Sequence, residues 1–114
     1  MPAADSGIAI VLTTAGSREE AERIARTLVA ERLAACVNVV GGAVALYRWR
    51  GDVSRDEETL LLIKTTRERF AEVRRRIREL HSYQLPEVVL LPVIDADPEY
   101  AAWVAECVAE DRTH

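Results

Sequence analysis

Residues 43–66, AVALYRWRGDVSRDEETLLLIKTT, constrain the fold more than any other stretch of this chain. They read as a long β-hairpin with arms at 43–50 and 59–66, separated by a polar segment with turn chemistry at Gly51-Asp52. The first arm carries Tyr47 and Trp49. The second carries Lys64, the only lysine beside fourteen arginines. A general need for positive charge does not explain a lone lysine closing the apolar run 60–63. It is either a charge at a strand end or a placed functional group.

The flanking segments alternate between strand and helix. Residues 8–14 form a short β-branched apolar run, as a buried central strand requires. Ser17 followed by Glu20 is a capping box, and Ala21, Ile24, Ala25, Leu28 and Val29 then recur at helical spacing to about Arg32. Residues 34–40 are again strand-like. Gly41-Gly42 breaks that strand before the hairpin, the pattern of a bulge or bend.

After the hairpin, Thr65 or Thr66 caps a second helix with Phe70, Val73, Ile77 and Leu80 on its apolar stripe. Residues 81–86 form a loop, because Pro86 turns its predecessor away from helix. Residues 87–94 form a fourth strand, which the internal Pro92 places near an edge or interrupts. Asp97-Pro98 starts a third helix with Tyr100, Trp103, Val104, Cys107 and Val108 on one stripe.

The order β-α-β-β-α-β plus a terminal helix is the α+β, ferredoxin-like pattern: an antiparallel four-stranded sheet with two helices on one face. The other face must meet solvent, a ligand or another subunit. Strands 34–40 and 60–63 are apolar on both faces, so a covering subunit is the simplest supplier. With 114 residues the chain has room for one domain, placed at 8–110, between a disordered start at 1–7 and a tail at 111–114.

A net charge of −4 gives no electrostatic reason to expect nucleic acid. Residues 8–12 are too short for a membrane span or signal core. Cys36 and Cys107 have neither a CxxC nor a finger spacing, so a reducing cytoplasm is the expected compartment and no metal is required for folding.

The chemical groups each have a plain reading beside a functional one. Cys36 is a small buried hydrophobe or a soft-metal ligand, and Cys107 belongs to the core of its helix stripe. His81, the only internal histidine, either complements a helix C-terminus or binds a ligand or metal. The acid run Asp56-Glu57-Glu58 is a solvated surface or an attraction for hard cations. The basic run at 74–78 reads as a solvated face, paired as Glu72 with Arg76 and Glu79 with Arg75. His114 belongs to the disordered tail. No triad-like constellation has a sequence signature, so an enzyme is not expected.

Four ordered blocks carry a resemblance: residues 33–38 (LAACVN), 46–51 (LYRWRG), Glu58 with 61–66 (LLIKTT), and 81–87 (HSYQLPE). Together they resemble the CutA divalent-cation tolerance family over about residues 8–108. The resemblance implies a homotrimer with PII-like architecture, whose hairpins reach neighbouring subunits. It also implies a role in tolerance and binding of divalent metal, copper above all, with no established reaction.

Two departures stand out. Gln84 replaces the acid typical of the fourth block, and Thr13 and Leu80 stand where some bacterial members carry a cysteine and a second histidine. On this resemblance the ligand cleft comprises Lys64, Tyr83, Glu87, Glu58 and Tyr47, with His81 and Cys36 as copper-ligand candidates. The alternatives are a PII-like sensor of a small anionic metabolite or nucleotide, held by Lys64 and nearby arginines, and a structural trimeric scaffold.

Overall fold

Strand β1 (Ile8–Ala15) is central in a sheet of order β2-β3-β1-β4, with every neighbouring pair antiparallel. The structure, a computed structural model, describes residues 6–110. Strands β2 (Cys36–Trp49) and β3 (Asp52–Thr66) form the hairpin, and β4 (Val89–Pro92) is the opposite edge. Helices α1 (Arg18–Ala30) and α2 (Phe70–Leu80) cover one face, and α3 (Pro98–Cys107) lies against β1 and β3. This is the ferredoxin-like arrangement expected from the element order.

Alternation along β1 and β3 separates the two faces. Val11, Leu61 and Ile63 point toward the helices and are fully buried with Ile24, Leu28, Val73 and Ile77. Their neighbours Ile10, Leu12, Leu60 and Leu62 point the other way and are only half-buried. On the same open side, the edge strands show Val40, Val89 and Leu91, each at least 40% exposed. The apolar second face inferred from the sequence is therefore present and largely uncovered in one protomer.

The hairpin is longer than its sequence suggests. The polar residues 52–58 continue β3 in register with β2, so the arms run unbroken to a two-residue turn at Arg50-Gly51. The turn thus lies one residue earlier than Gly51-Asp52. Arg50 and Gly51 both have positive φ (52° and 89°), which a tight turn between right-twisted strands requires. The bulge falls where expected: Val40 pairs with Leu60 but Ala43 with Glu58, leaving one extra residue on β2, and Gly42 takes a φ of 83° there.

The local capping signals are met unevenly. Ser17 Oγ accepts the Glu20 N–H at 3.1 Å, but the Glu20 carboxylate binds the Ser82 N–H at 2.7 Å, so the capping box is diverted into a long-range contact. Helix α1 ends at Ala30 in a Schellman motif. Leu33 N–H bonds to Leu28 O and Arg32 N–H to Val29 O, with Arg32 in the left-handed region.

Thr66 makes no side-chain cap. A 3₁₀ turn (Arg67–Arg69) precedes α2, and the Thr65 hydroxyl donates to Leu33 O instead. Strand β4 keeps only four residues of the expected 87–94. Asp97 caps α3 as expected, accepting the Tyr100 N–H at 3.1 Å.

Cys107 is half-buried rather than core, because α3 buries only Val104 of its helical residues, with Val108 just beyond it. Glu79 pairs with Arg75 as expected, whereas Glu72 pairs with Arg69 and Arg76 reaches across to Glu31 at 2.8 Å. Of the expected disordered start, residues 1–5 lie outside the described residues. Ser6 and Gly7 are tied down through Val93 O and Arg67 N–H. Residues 111–114, including His114, also lie outside them.

Candidate functional site

Beyond the bulge, alternation puts Ala43, Ala45, Tyr47 and Trp49 of β2 on the same side as Glu58 and Asp56 of β3. The loop after α2 folds toward that surface. Together they enclose a cleft of about 460 Å³, lined by Tyr47, Arg48, Trp49, Asp56, Glu58 and Tyr83, with Thr14, Ala45, Gln84, Leu85 and Glu87. The small side chain of Ala45 opposite Asp56 keeps the floor low.

Two tyrosines fix two of the carboxylates. The Tyr83 hydroxyl donates to Glu58 Oε2 at 2.9 Å, and the Tyr47 hydroxyl donates to Asp56 Oδ2. Burial, and then the hydrogen bond and charge of Glu58, push the Tyr83 phenol far above its ordinary value. The hydrogen bond to Asp56 is the leading cause of a rise at Tyr47. Both phenols are therefore donors across the physiological range.

The loop that delivers Tyr83 is held by His81. This residue caps the C-terminus of α2, and its imidazole is completely buried. Nε2 lies 2.6 Å from Thr14 O, and Nδ1 accepts the Tyr83 N–H at 3.0 Å. Those partners assign the proton to Nε2, since Nδ1 is used as an acceptor. The imidazole and phenol rings also pack with centroids 4.6 Å apart. Glu20, bound to Ser82 N–H, anchors the same loop from α1. Burial raises the Glu20 carboxyl, but hydrogen bonds from Ser82 and Gly16 outweigh it and leave it below the usual carboxylate range.

Of the residues expected in a cleft, Tyr47, Glu58, Tyr83 and Glu87 line this one together. Lys64 does not. It points from the far end of β3 to Asn38, to which its ammonium donates. Cys36 pairs in register with Lys64, where Tyr100 of α3 approaches it; burial and then the nearby Cys36 raise that phenol.

Both nitrogens of His81 are engaged by backbone groups, and among the described residues no cluster of three or more His, Cys, Asp or Glu side chains is placed to hold a metal ion. Asp56, Trp49 and Arg48 also line the cleft, although they were not among the residues expected there. The i,i+2 spacing of Asp56 and Glu58 is their signal, once residues 52–58 are read as strand.

Comparison with known proteins agrees with this architecture. The family model described as CutA1 divalent ion tolerance protein matches residues 9–107. The divalent-cation tolerance protein CutA of Thermus thermophilus is 48% identical over 97 residues, covering 85% of this chain and 94% of that protein. The solved structure of the divalent cation tolerance protein from Thermus thermophilus superposes with a TM-score of 0.88 at 46% identity, covering 90% of this chain and 99% of that one. CutA from Xylella fastidiosa gives a TM-score of 0.88 at 38% identity, covering 90% and 98% respectively. The chain belongs to the CutA1 divalent ion tolerance protein family, and its role lies in divalent metal ion tolerance.

Proposed function

We propose that the protein serves divalent-metal tolerance as a non-catalytic cytoplasmic homotrimer, with metal contacts formed between subunits. The observation that carries this reading is the open sheet face. Ile10, Leu12, Leu60, Leu62, Val40, Val89 and Leu91 form an apolar surface that one protomer covers only in part. Apolar exposure on that scale favours association. The edges of β2 and β4 on either side also offer unpaired backbone groups.

Copper binding draws on the same assembly. Cys36 is a free, half-buried thiol on the open side of the sheet, suited as a soft ligand. His81 completes such a set only if its ring leaves Thr14 and Tyr83, so a neighbouring subunit is the better source of further ligands. Two unpaired cysteines accord with a reducing compartment. A small anion is the weaker alternative: the cleft carries three carboxylates and one guanidinium, and Lys64 lies outside it.

Light scattering after gel filtration tests the assembly, with a mass three times 12.7 kDa expected and a stable monomer overturning it. Calorimetric titration with copper tests the metal reading. Saturable binding abolished in the double variant Cys36→Ala, His81→Ala is expected, and no heat above the buffer control would end it.

A further inference from the structure

The cleft has a chemistry that neither a metal ion nor an anion uses well. Asp56, Glu58 and Glu87 line it beside Arg48, the one cation among the described residues that line it, so its field is negative. A hard dication collects six to eight oxygens around one point. Here the acids are spread out: Asp56 and Glu58 are two residues apart on one strand, about 7 Å along it, and Glu87 comes from the facing loop. No three of the described acids, histidines or cysteines converge on a metal-sized point.

Between the acids the walls are apolar and aromatic: Ala45, Leu85, Trp49 and the rings of Tyr47 and Tyr83. Each tyrosine hydroxyl uses one acceptor site of its carboxylate and holds that group in place, leaving further acceptor sites on it for a ligand. A matching ligand carries several separated positive charges joined by methylene segments. Two ammonium groups across a three- or four-carbon chain have about the separation of Asp56 and Glu58. The methylenes would lie on Ala45 and Leu85, and the ammonium groups would gain cation–π attraction from the rings. The volume of about 460 Å³ lies within the range of small-molecule sites.

We propose that this cleft binds a linear aliphatic polyamine, with Asp56, Glu58 and Glu87 holding its ammonium groups and Tyr47, Trp49 and Tyr83 walling its chain. The proposal does not rest on metal ligation by Cys36; the cleft opens on the side of the sheet assigned to assembly, so it is tested in the protein as it assembles. It assigns the hairpin a ligand of its own, organic and cationic, distinct from the ion in the family's description.

Calorimetric titration of the whole protein with spermidine tests this, beside parallel titrations with magnesium chloride and sodium sulfate. Saturable one-site binding of spermidine is expected, weakening as sodium chloride is raised because the attraction is screened. Glu87→Gln is expected to weaken it about tenfold, and Asp56→Asn with Glu58→Gln about a hundredfold, as follows from about 1.4 kcal/mol for each lost charge contact.

Circular dichroism of each variant checks the fold. Glu87 makes no hydrogen bond or ion pair among the described residues, so Glu87→Gln reads the contact without disturbing the hairpin. Absence of spermidine heat in the native protein overturns the proposal. So does binding that survives all three substitutions, or magnesium displacing spermidine at equal concentration. Copper binding measured without amine reports separately on the metal reading.

Discussion

Tyr83 donates its hydroxyl to Glu58 at 2.9 Å, joining the loop after α2 to the long hairpin. The contact spans 25 residues of sequence and closes one side of the cleft. It ties the geometry of a loop to that of a paired strand.

Tyr83→Phe removes that donor while keeping the ring. A half-buried hydrogen bond is worth about 1 kcal/mol, so a loss of that size in urea unfolding is expected. Glu58→Gln should cost less when Tyr83→Phe is already present than in the native chain, since the partner is gone. Additive losses in this double-mutant cycle would show that the bond contributes nothing.

Leu61 and Leu62 are adjacent on β3 but face opposite sides of the sheet. Leu61→Ala should destabilise the fold by about 2–5 kcal/mol through a cavity among fully buried neighbours. Leu62→Asp should leave protomers folded while shifting the light-scattering mass downward, because it charges the uncovered face. An unchanged mass for Leu62→Asp would remove that face from the assembly.

The Glu20 carboxyl titrates below its ordinary value in the fold, so near pH 4 the native state holds fewer protons than the unfolded chain. The stability it contributes is complete above the ordinary carboxylate range and is lost as pH falls through the depressed native value. Urea midpoints of the native protein and Glu20→Gln should therefore be furthest apart near neutrality and converge in acid. A gap that stays constant with pH would contradict this.

At the hairpin tip, Gly51 has a φ of 89° and Arg50 one of 52°. Gly51→Ala should cost about 1 kcal/mol, since a side chain is strained there. Arg50→Asn should gain a few tenths of a kcal/mol, about 0.3, because asparagine tolerates the left-handed region better. Thermal unfolding of the two variants, moving in opposite directions, is the check.

The hairpin was legible because its apolar alternation and glycines are local. The position of its turn was not, since residues 52–58 are polar and read as a loop. They pair all the same, because β2 supplies a partner for each. Likewise Ser17 and Glu20 signal a helix start, yet Glu20 is drawn to the Ser82 N–H, 62 residues away. Thr65, read as a cap, donates its hydroxyl to Leu33 O. In each case a backbone group distant in sequence displaces the local partner, because the fold brings it within hydrogen-bond reach and the bond it gains offsets the lost cap.

By itself the sequence determined the order of strands and helices, the bulge at Gly41-Gly42 and the two-sided apolarity of the central strands. Those depend on side-chain periodicity and on residues that permit particular backbone angles. Only the tertiary structure decided that Tyr47, Asp56, Glu58, Tyr83 and Glu87 share one cleft, that Lys64 does not, and that His81 commits both nitrogens to loop geometry. Which side chains meet is set by strand register and by the path of the returning loop. Both are fixed by contacts between residues far apart in the chain.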